Sequence, residues 1–270
     1  MAKIVAMVNL KGGVGKTALS VYFADYCALQ GLRTLLVDLD PQTNATFSAM
    51  GVDEWDKHKD NNGTIADLLG ARDHNNADGQ RKSFDDVVVR DLLNGFDLIP
   101  SHLDLFTIDL DLAGKPNREG RLKKALKDEL DNYDIIVCDC PPNLTIPTQN
   151  AIAAASHFVV PVSPDFLSAI GIALLKSRIS DFCDELDHEI DLAGIVLSRV
   201  GRPARKRSET IQSIRENFPG EVLDGQLTER VKVAEAAEEA RSVFNIGDGA
   251  AADEFTAVCS EILERLDLEA

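Results

Sequence analysis

The chain has 270 residues, 44% of them hydrophobic, enough for one large domain or two small ones and for burial of roughly three quarters of the unfolded surface. No run of about 18 apolar residues occurs, and the start MAKIVAMVNLKGG passes from a short apolar segment into glycines without a cleavage site, which argues against a membrane span or signal peptide and for the cytoplasm. The formal charge of −17, from 45 acidic against 28 basic residues, disfavours nucleic acid as a partner unless a local basic patch overcomes it.

Short apolar runs ending in polar or glycine-rich turns alternate with longer segments of helical period, the pattern of βαβ units around a parallel sheet. Strands are expected at 3–9, 33–38, 96–100, 134–139, 157–162, 193–200 and 221–225, several without polar alternation, which predicts burial on both faces. Helices are expected at 16–30, 64–70, 118–132, 145–155, 166–187, 206–217, 232–242 and 252–267, with Gly31 standing where the first should stop. The polar segments 53–63 and 71–83 read as surface loops too short to mark a domain boundary. A single α/β domain over residues 1–270 is therefore expected.

Between the first strand and first helix lies VNLKGGVGKTAL, positions 8–19. It looks like a phosphate-binding loop, yet GxxxxGK[ST] requires a glycine where Leu10 stands, and a second lysine, Lys11, occupies the loop. Gly12, Gly13 and Gly15 allow a tight bend that aims several N–H groups at one anion, at the positive end of the helix dipole. Phosphate contacts are accordingly expected over Lys11, Gly12, Gly13, Val14, Gly15, Lys16, Thr17 and Ala18. Lys16 would reach the outer phosphates, and the Thr17 hydroxyl would ligate Mg²⁺.

Two further strands end in acid: LLVDLDP supplies Asp38 and Asp40, and IIVCDCPP supplies Asp139. Carboxyl ends of neighbouring parallel strands open onto one crevice, so these carboxylates should converge on the same phosphates. Asp139 is the natural Mg²⁺ partner, through water. Asp38 and Asp40 would point the same way if their strand extends that far, one of them orienting the attacking water. Five scattered cysteines fit reduced cytosolic thiols, and five histidines without ligand spacing propose no zinc site.

KGGVGKT, LLVDLDPQTNAT, YDIIVCDCPP and VVPVSPDF together resemble the deviant-Walker ATPases of the ParA/MinD group over nearly the whole chain. The resemblance implies a doubly wound, mostly parallel P-loop fold. It also implies a homodimer sandwiching two ATP molecules, in which Lys11 crosses to the partner's phosphates. Lys16 would then act in cis, Thr17 and Asp139 would serve magnesium, and Asp40 would position the hydrolytic water. Asp38 would support the metal shell or loop geometry, and the stretch 41–46 would respond to the γ-phosphate. Adenine would lie near Ser198 and Arg199 and the turn 227–231.

One region opposes the overall charge: SRVGRPARKRSE places Arg199, Arg202, Arg205, Lys206 and Arg207 within nine residues, with Arg230, Lys232 and Arg241 as candidates to extend the patch. In ParA relatives nonspecific DNA is the usual matrix of the ATP-bound dimer, so these cations are expected to contact DNA. A nucleoid-associated partition ATPase stimulated by a ParB-like or cargo-adaptor partner follows. The chain reaches its phosphate loop within about ten residues, which speaks against an N-terminal helix-turn-helix and autorepression. A MinD-like membrane role is disfavoured because the end, DEFTAVCSEILERLDLEA, is acidic on its polar face and should pack on the core. An iron–sulfur carrier would need paired cysteines, which Cys183 and Cys259 do not offer.

Overall fold

The computed structural model describes residues 2–71, 82–201 and 204–268. The first part of the chain forms β1 (Lys3–Met7), α1 (Lys16–Leu29), β2 (Thr34–Asp38), α2 (Asn44–Met50), α3 (Val52–Asn61), α4 (Ile65–Leu69), α5 (Phe84–Val87), β3 (Val89–Leu92) and β4 (Phe96–Ile99). There follow α6 (Ile108–Asp111), α7 (Arg121–Leu126), β5 (Ile135–Asp139), α8 (Ile146–Ala154), β6 (His157–Val162) and α9 (Ser168–Leu186). The last third holds β7 (Asp191–Val200), α10 (Arg205–Asn217), β8 (Val222–Thr228), α11 (Val231–Glu238) and α12 (Gly249–Arg265).

All eight of these strands join one sheet in the order β3-β4-β2-β5-β1-β6-β7-β8, parallel except for the antiparallel β3–β4 pair. The strands that lack polar alternation are buried on both faces. In β1 and its continuation, Ile4, Ala6 and Val8 enter one apolar core while Val5 and Met7 enter the other; in β5, Ile136 and Cys138 face Ile135 and Val137 in the same way. Leu122 of α7, Ile152 of α8, Ile172 of α9 and Ile214 of α10 cover the first face. Tyr22 of α1, Ala49 of α2, Ala236 of α11 and Phe255 of α12 cover the second, so the sheet is doubly wound. Each large aliphatic side chain buried this way contributes about 1.5–3 kcal/mol.

Register brings the functional strand ends level. Met7 and Asp38 both pair with Asp139, so β1, β2 and β5 finish side by side and release their following residues into one crevice.

Several local expectations are corrected. Residues 53–63 are not a loop: α3 runs through most of them, anchored by the buried Trp55, which meets Phe47 edge-on at 5.2 Å between ring centroids. One apolar residue in a polar segment gives no visible period, but Asp53 and Glu54 in the first turn and His58 and Lys59 in the last suit the helix dipole. The helix expected at 118–132 shortens to α7, where Leu122 and Leu126, four apart, are buried and the rest is turn. The edge strand β3, four residues long and half polar, carries too little pattern to be seen. Most of the expected loop at 71–83 lies outside the described residues.

Candidate active site

The phosphate loop bends at Gly13 and Gly15, whose φ angles of 72° and 85° lie in the left-handed region that glycine adopts without strain. Gly15 caps α1, so the loop delivers its N–H groups to the helix N-terminus. Val14 turns its side chain inward and its carbonyl accepts from Ser198 Oγ, tying the loop to β7. The two lysines part company. Lys16 is 6% exposed and donates from Nζ to the Lys11 carbonyl at 3.2 Å. The Lys11 side chain is 60% exposed and ion-paired with Asp165, in the segment between β6 and α9.

The carboxylates also divide. Thr17 Oγ1 donates to Asp139 Oδ2 at 2.9 Å and Ser20 Oγ to Asp139 Oδ1 at 2.7 Å, and the carboxylate is fully buried. Burial pushes its pKa up to about 6 against the pull of those two hydroxyls. Asp38 is pushed well above the usual carboxylate range by burial and then by the Asp139 charge. Burial also lowers the Lys16 ammonium, opposed by Asp139 and Asp40.

The strand β2 stops at Asp38, so Asp38 and Asp40 do not share a face. Asp38 was expected among the nucleotide contacts, but both of its oxygens are committed internally. Oδ1 accepts the Asp40 N–H at 3.0 Å, and Oδ2 accepts the N–H and hydroxyl of Thr46 at 2.9 and 2.7 Å. Asp40 instead lines a cleft of about 660 Å³ together with Gly12, Gly13, Gly15, Lys16, Thr17 and Ala18. Lys11 does not line it.

Asp139, buried with a raised pKa and held by Thr17, which lines the cleft, makes with that hydroxyl a donor set short of positive charge. That set fits a divalent cation shared with phosphate oxygens. Among the described residues no group of three or more His, Cys, Asp or Glu side chains could hold a metal by itself.

The family model described as an AAA domain matches residues 2–192. The cell division protein PomZ of Myxococcus xanthus is 33% identical over 261 residues, covering 96% of this chain and 77% of PomZ. The sporulation initiation inhibitor protein Soj of Bacillus subtilis is 30% identical over 244 residues, covering 90% of this chain and 91% of Soj. In fold, the structure of apo McdA from Cyanthece matches with a TM-score of 0.80 over 98% of this chain and 100% of McdA, at 20% identity. The chain belongs to the ParA/MinD-type P-loop ATPases. Its relatives support a positioning ATPase of the ParA type.

The cleft also takes in residues near which adenine is expected from the resemblance. Ser198, Arg199, Leu227, Thr228, Glu229 and Arg230 all line it. Tyr22, Val233, Ala237 and Phe255 add an apolar side that no motif announced, because it is assembled from three helices distant in sequence. Ser20 was also missed, although it stands one turn beyond Lys16 and Thr17 on α1, where helical period puts it beside Asp139.

The basic stretch is not one patch. Arg199, with a left-handed φ of 51°, turns back over the phosphate loop, donating to the Gly13 carbonyl at 2.7 Å and pairing with Glu229. It also lines the cleft, beside Ser198, where adenine is expected. Arg202 lies outside the described residues. Arg205, Lys206 and Arg207 begin α10, and Arg205 pairs with Glu209. Arg230 and Arg241 are paired with Glu254 and Glu239.

The helix α12 packs on the core as expected, burying Phe255, Val258, Cys259 and Ile262. No helix among the described residues is long and apolar enough to cross a membrane. All five cysteines are free and buried.

Proposed function

We propose that residues 1–270 act as a single ParA-type ATPase domain that dimerises on ATP, holds nonspecific DNA in that state, and segregates or positions a cargo such as a plasmid, chromosome origin or protein organelle. The observation that carries this reading is the opposed placement of two lysines in one loop, Lys16 buried in the cleft and Lys11 exposed outside it. One cation serves the protomer's own nucleotide. The other faces outward, where a second copy's phosphates can meet it. Apolar side chains beside its partner Asp165 support a protein contact on this face, since Phe166 is 92% exposed and Leu167 and Ile170 are exposed with it.

The reaction cleaves the bond between the γ-phosphorus of ATP and the bridging oxygen, transferring the phosphoryl group to water and releasing ADP. Asp40, on the cleft wall, orients the attacking water. Lys16 and the loop N–H groups, from Gly12 to Ala18, stabilise charge on the phosphate oxygens, and Lys11 of a second protomer adds a cation from the other side. Thr17 and Asp139 would hold a Mg²⁺ ion, which would supply positive charge against the phosphate oxygens. Asp38 shapes the loop that carries Asp40.

The start of α10 favours an anionic partner. Arg205, Lys206 and Arg207 occupy the helix's first turn, no side chain caps it, and no acid stands there. Cations at the positive end of a helix dipole raise the local potential, which a phosphate backbone offsets. Nucleoid association follows from such binding. The net charge of −17 suits a basic segment of a ParB-like or cargo-adaptor partner. A MinD-like membrane-surface role is not favoured by α12, whose apolar face is buried on the core.

Light scattering coupled to size exclusion tests the reading. A dimer with ATP and Mg²⁺ and a monomer with ADP is the expected result, with DNA bound in the first state alone. A monomer under all nucleotides sinks it.

A further inference from the structure

The segment from Asp38 to Thr46 is closed by a ring of buried hydrogen bonds, and its outer corner is Ser101, a residue outside the cleft and outside every sequence motif. Ser101 follows β4 by two residues. Because Val37 pairs with Ile99 in the sheet, the chain just beyond the end of β4 runs beside the chain just beyond β2. Ser101 is fully buried, and its hydroxyl donates to the Asp40 carbonyl at 2.7 Å. Its N–H donates to Thr46 Oγ1 at 2.9 Å, and that hydroxyl in turn donates to Asp38 Oδ2 at 2.7 Å. Asp38 Oδ1 closes the ring by accepting the Asp40 N–H.

The consequence falls on Asp40. Its N–H is held by Asp38, and its carbonyl accepts from both Thr43 N–H, at 2.9 Å, and Ser101. With the peptide groups on both sides fixed, the carboxylate is aimed by the backbone, and it is this carboxylate that reaches the cleft, steadied by the Gln42 N–H at 2.9 Å. Within the ring, Ser101 is the one member contributed by a different strand. On one side the Leu39 N–H still donates to the Asp139 carbonyl at 2.9 Å, and on the other the Ser101 hydroxyl ties the Asp40 carbonyl to the chain that follows β4, so Asp40 is braced from both neighbouring strands.

We propose that Ser101 is a positioning residue for ATP hydrolysis, acting through Asp40, with Thr46 as its relay to Asp38. This rests on the reading above that Asp40 orients the attacking water. The geometry demanded there is narrow, and displacement of a reacting group by about 1 Å can cost on the order of 100-fold in rate. Ground-state nucleotide binding is made by other residues, on the phosphate loop. Loss of the ring should therefore lower kcat and leave binding alone.

The test is single-turnover hydrolysis at saturating ATP and Mg²⁺, with nucleotide affinity measured in parallel. Ser101→Ala and Thr46→Val, both close in shape to the native residue, are expected to lower the rate about 10-fold or more with the ATP Kd within about 2-fold of wild type. Thr46→Ser, which keeps the hydroxyl, is expected to recover at least about half of the wild-type rate, an outcome that bulk destabilisation does not produce. Trp55, the single tryptophan, donates from its indole to the Ser101 carbonyl at 2.9 Å and reports by its emission whether local packing survives. A Ser101→Ala rate within about 2-fold of wild type, or a loss that appears equally in Kd, overturns the proposal. If the wild type does not hydrolyse ATP, or Asp40→Ala hydrolyses it normally, the reading of Asp40 fails and the role of Ser101 falls with it.

Discussion

The Lys11 ammonium is ion-paired with Asp165 of the same protomer, on the outer side of the loop whose inner side holds Lys16. An exposed pair of this kind is worth about 0–1 kcal/mol, small beside what the lysine gains against a desolvated phosphate. The two lysines should therefore fail differently. Lys11→Ala is expected to keep the ATP Kd within about 3-fold and to lose the ATP-dependent dimer and turnover. Lys16→Ala is expected to weaken nucleotide binding itself by about 10-fold or more. Isothermal titration and light scattering separate the two outcomes. A Lys11→Ala protein that hydrolyses ATP normally as a monomer would end the account of the second lysine.

Stability of the nucleotide-free protein should depend on Asp139. Its folded pKa of about 6 lies above the unfolded value of about 3.9, so between these pH values the folded state holds a proton that the unfolded state has lost. Stability therefore falls as pH rises through that window, and the penalty is fully developed above about pH 6. Asp139→Asn removes the buried charge. It is expected to raise the urea-derived unfolding free energy relative to wild type by an amount that grows from pH 4.5 to 6.5, the pH-dependent part reaching on the order of 3 kcal/mol at neutrality, while abolishing Mg²⁺-dependent turnover. A pH-independent difference between the two proteins would show that the carboxylate is ionised without strain.

Binding to DNA should rest on the first turn of α10. With three cations per protomer and two protomers, about six phosphates are neutralised, and log K should fall against log salt with a slope of about −5, each contact adding about −0.9. Replacing Arg205, Lys206 and Arg207 by Gln should bring that slope close to zero and leave ATP binding intact. Electrophoretic mobility at a series of salt concentrations reads it, and an unchanged slope would move the DNA surface elsewhere.

The sheet was legible because its central strands are written as unbroken apolar runs, as in LLVD and IIVCD, each ending in an acid that the parallel register then brings to one level. The phosphate loop was legible because glycine spacing and GK followed by Thr report local backbone geometry. What escaped reading depends on contacts between distant segments. The helix α3 is held by one tryptophan, and the partner of Lys11 lies 154 positions away. Asp38 and Asp40 look equivalent in LLVDLDP, yet the strand stops between them, so one becomes a buried bracket and the other a cleft residue. Arg199 looked like a member of a cation run because charge is visible in sequence and its contact with the Gly13 carbonyl, 186 positions away, is not.

That contact yields a discriminating measurement. Arg199 spans from the Gly13 carbonyl to Glu229 across the mouth of the cleft, joining the phosphate loop to the end of β8. If its work is to hold that mouth, Arg199→Gln, which removes the charge and the forked donor set, should weaken ATP binding by about 3- to 10-fold, the net range of one ordinary hydrogen bond, and leave the salt slope of DNA binding unchanged. Glu229→Gln should produce a smaller loss in the same direction, since the guanidinium then keeps the Gly13 carbonyl and loses its counter-charge. The reverse pattern, in which Arg199→Gln keeps the ATP Kd and lowers the salt slope by about one unit, would return the residue to the DNA surface. Measured side by side with the α10 variants, the two sets of cations should divide between nucleotide affinity and DNA affinity with no overlap.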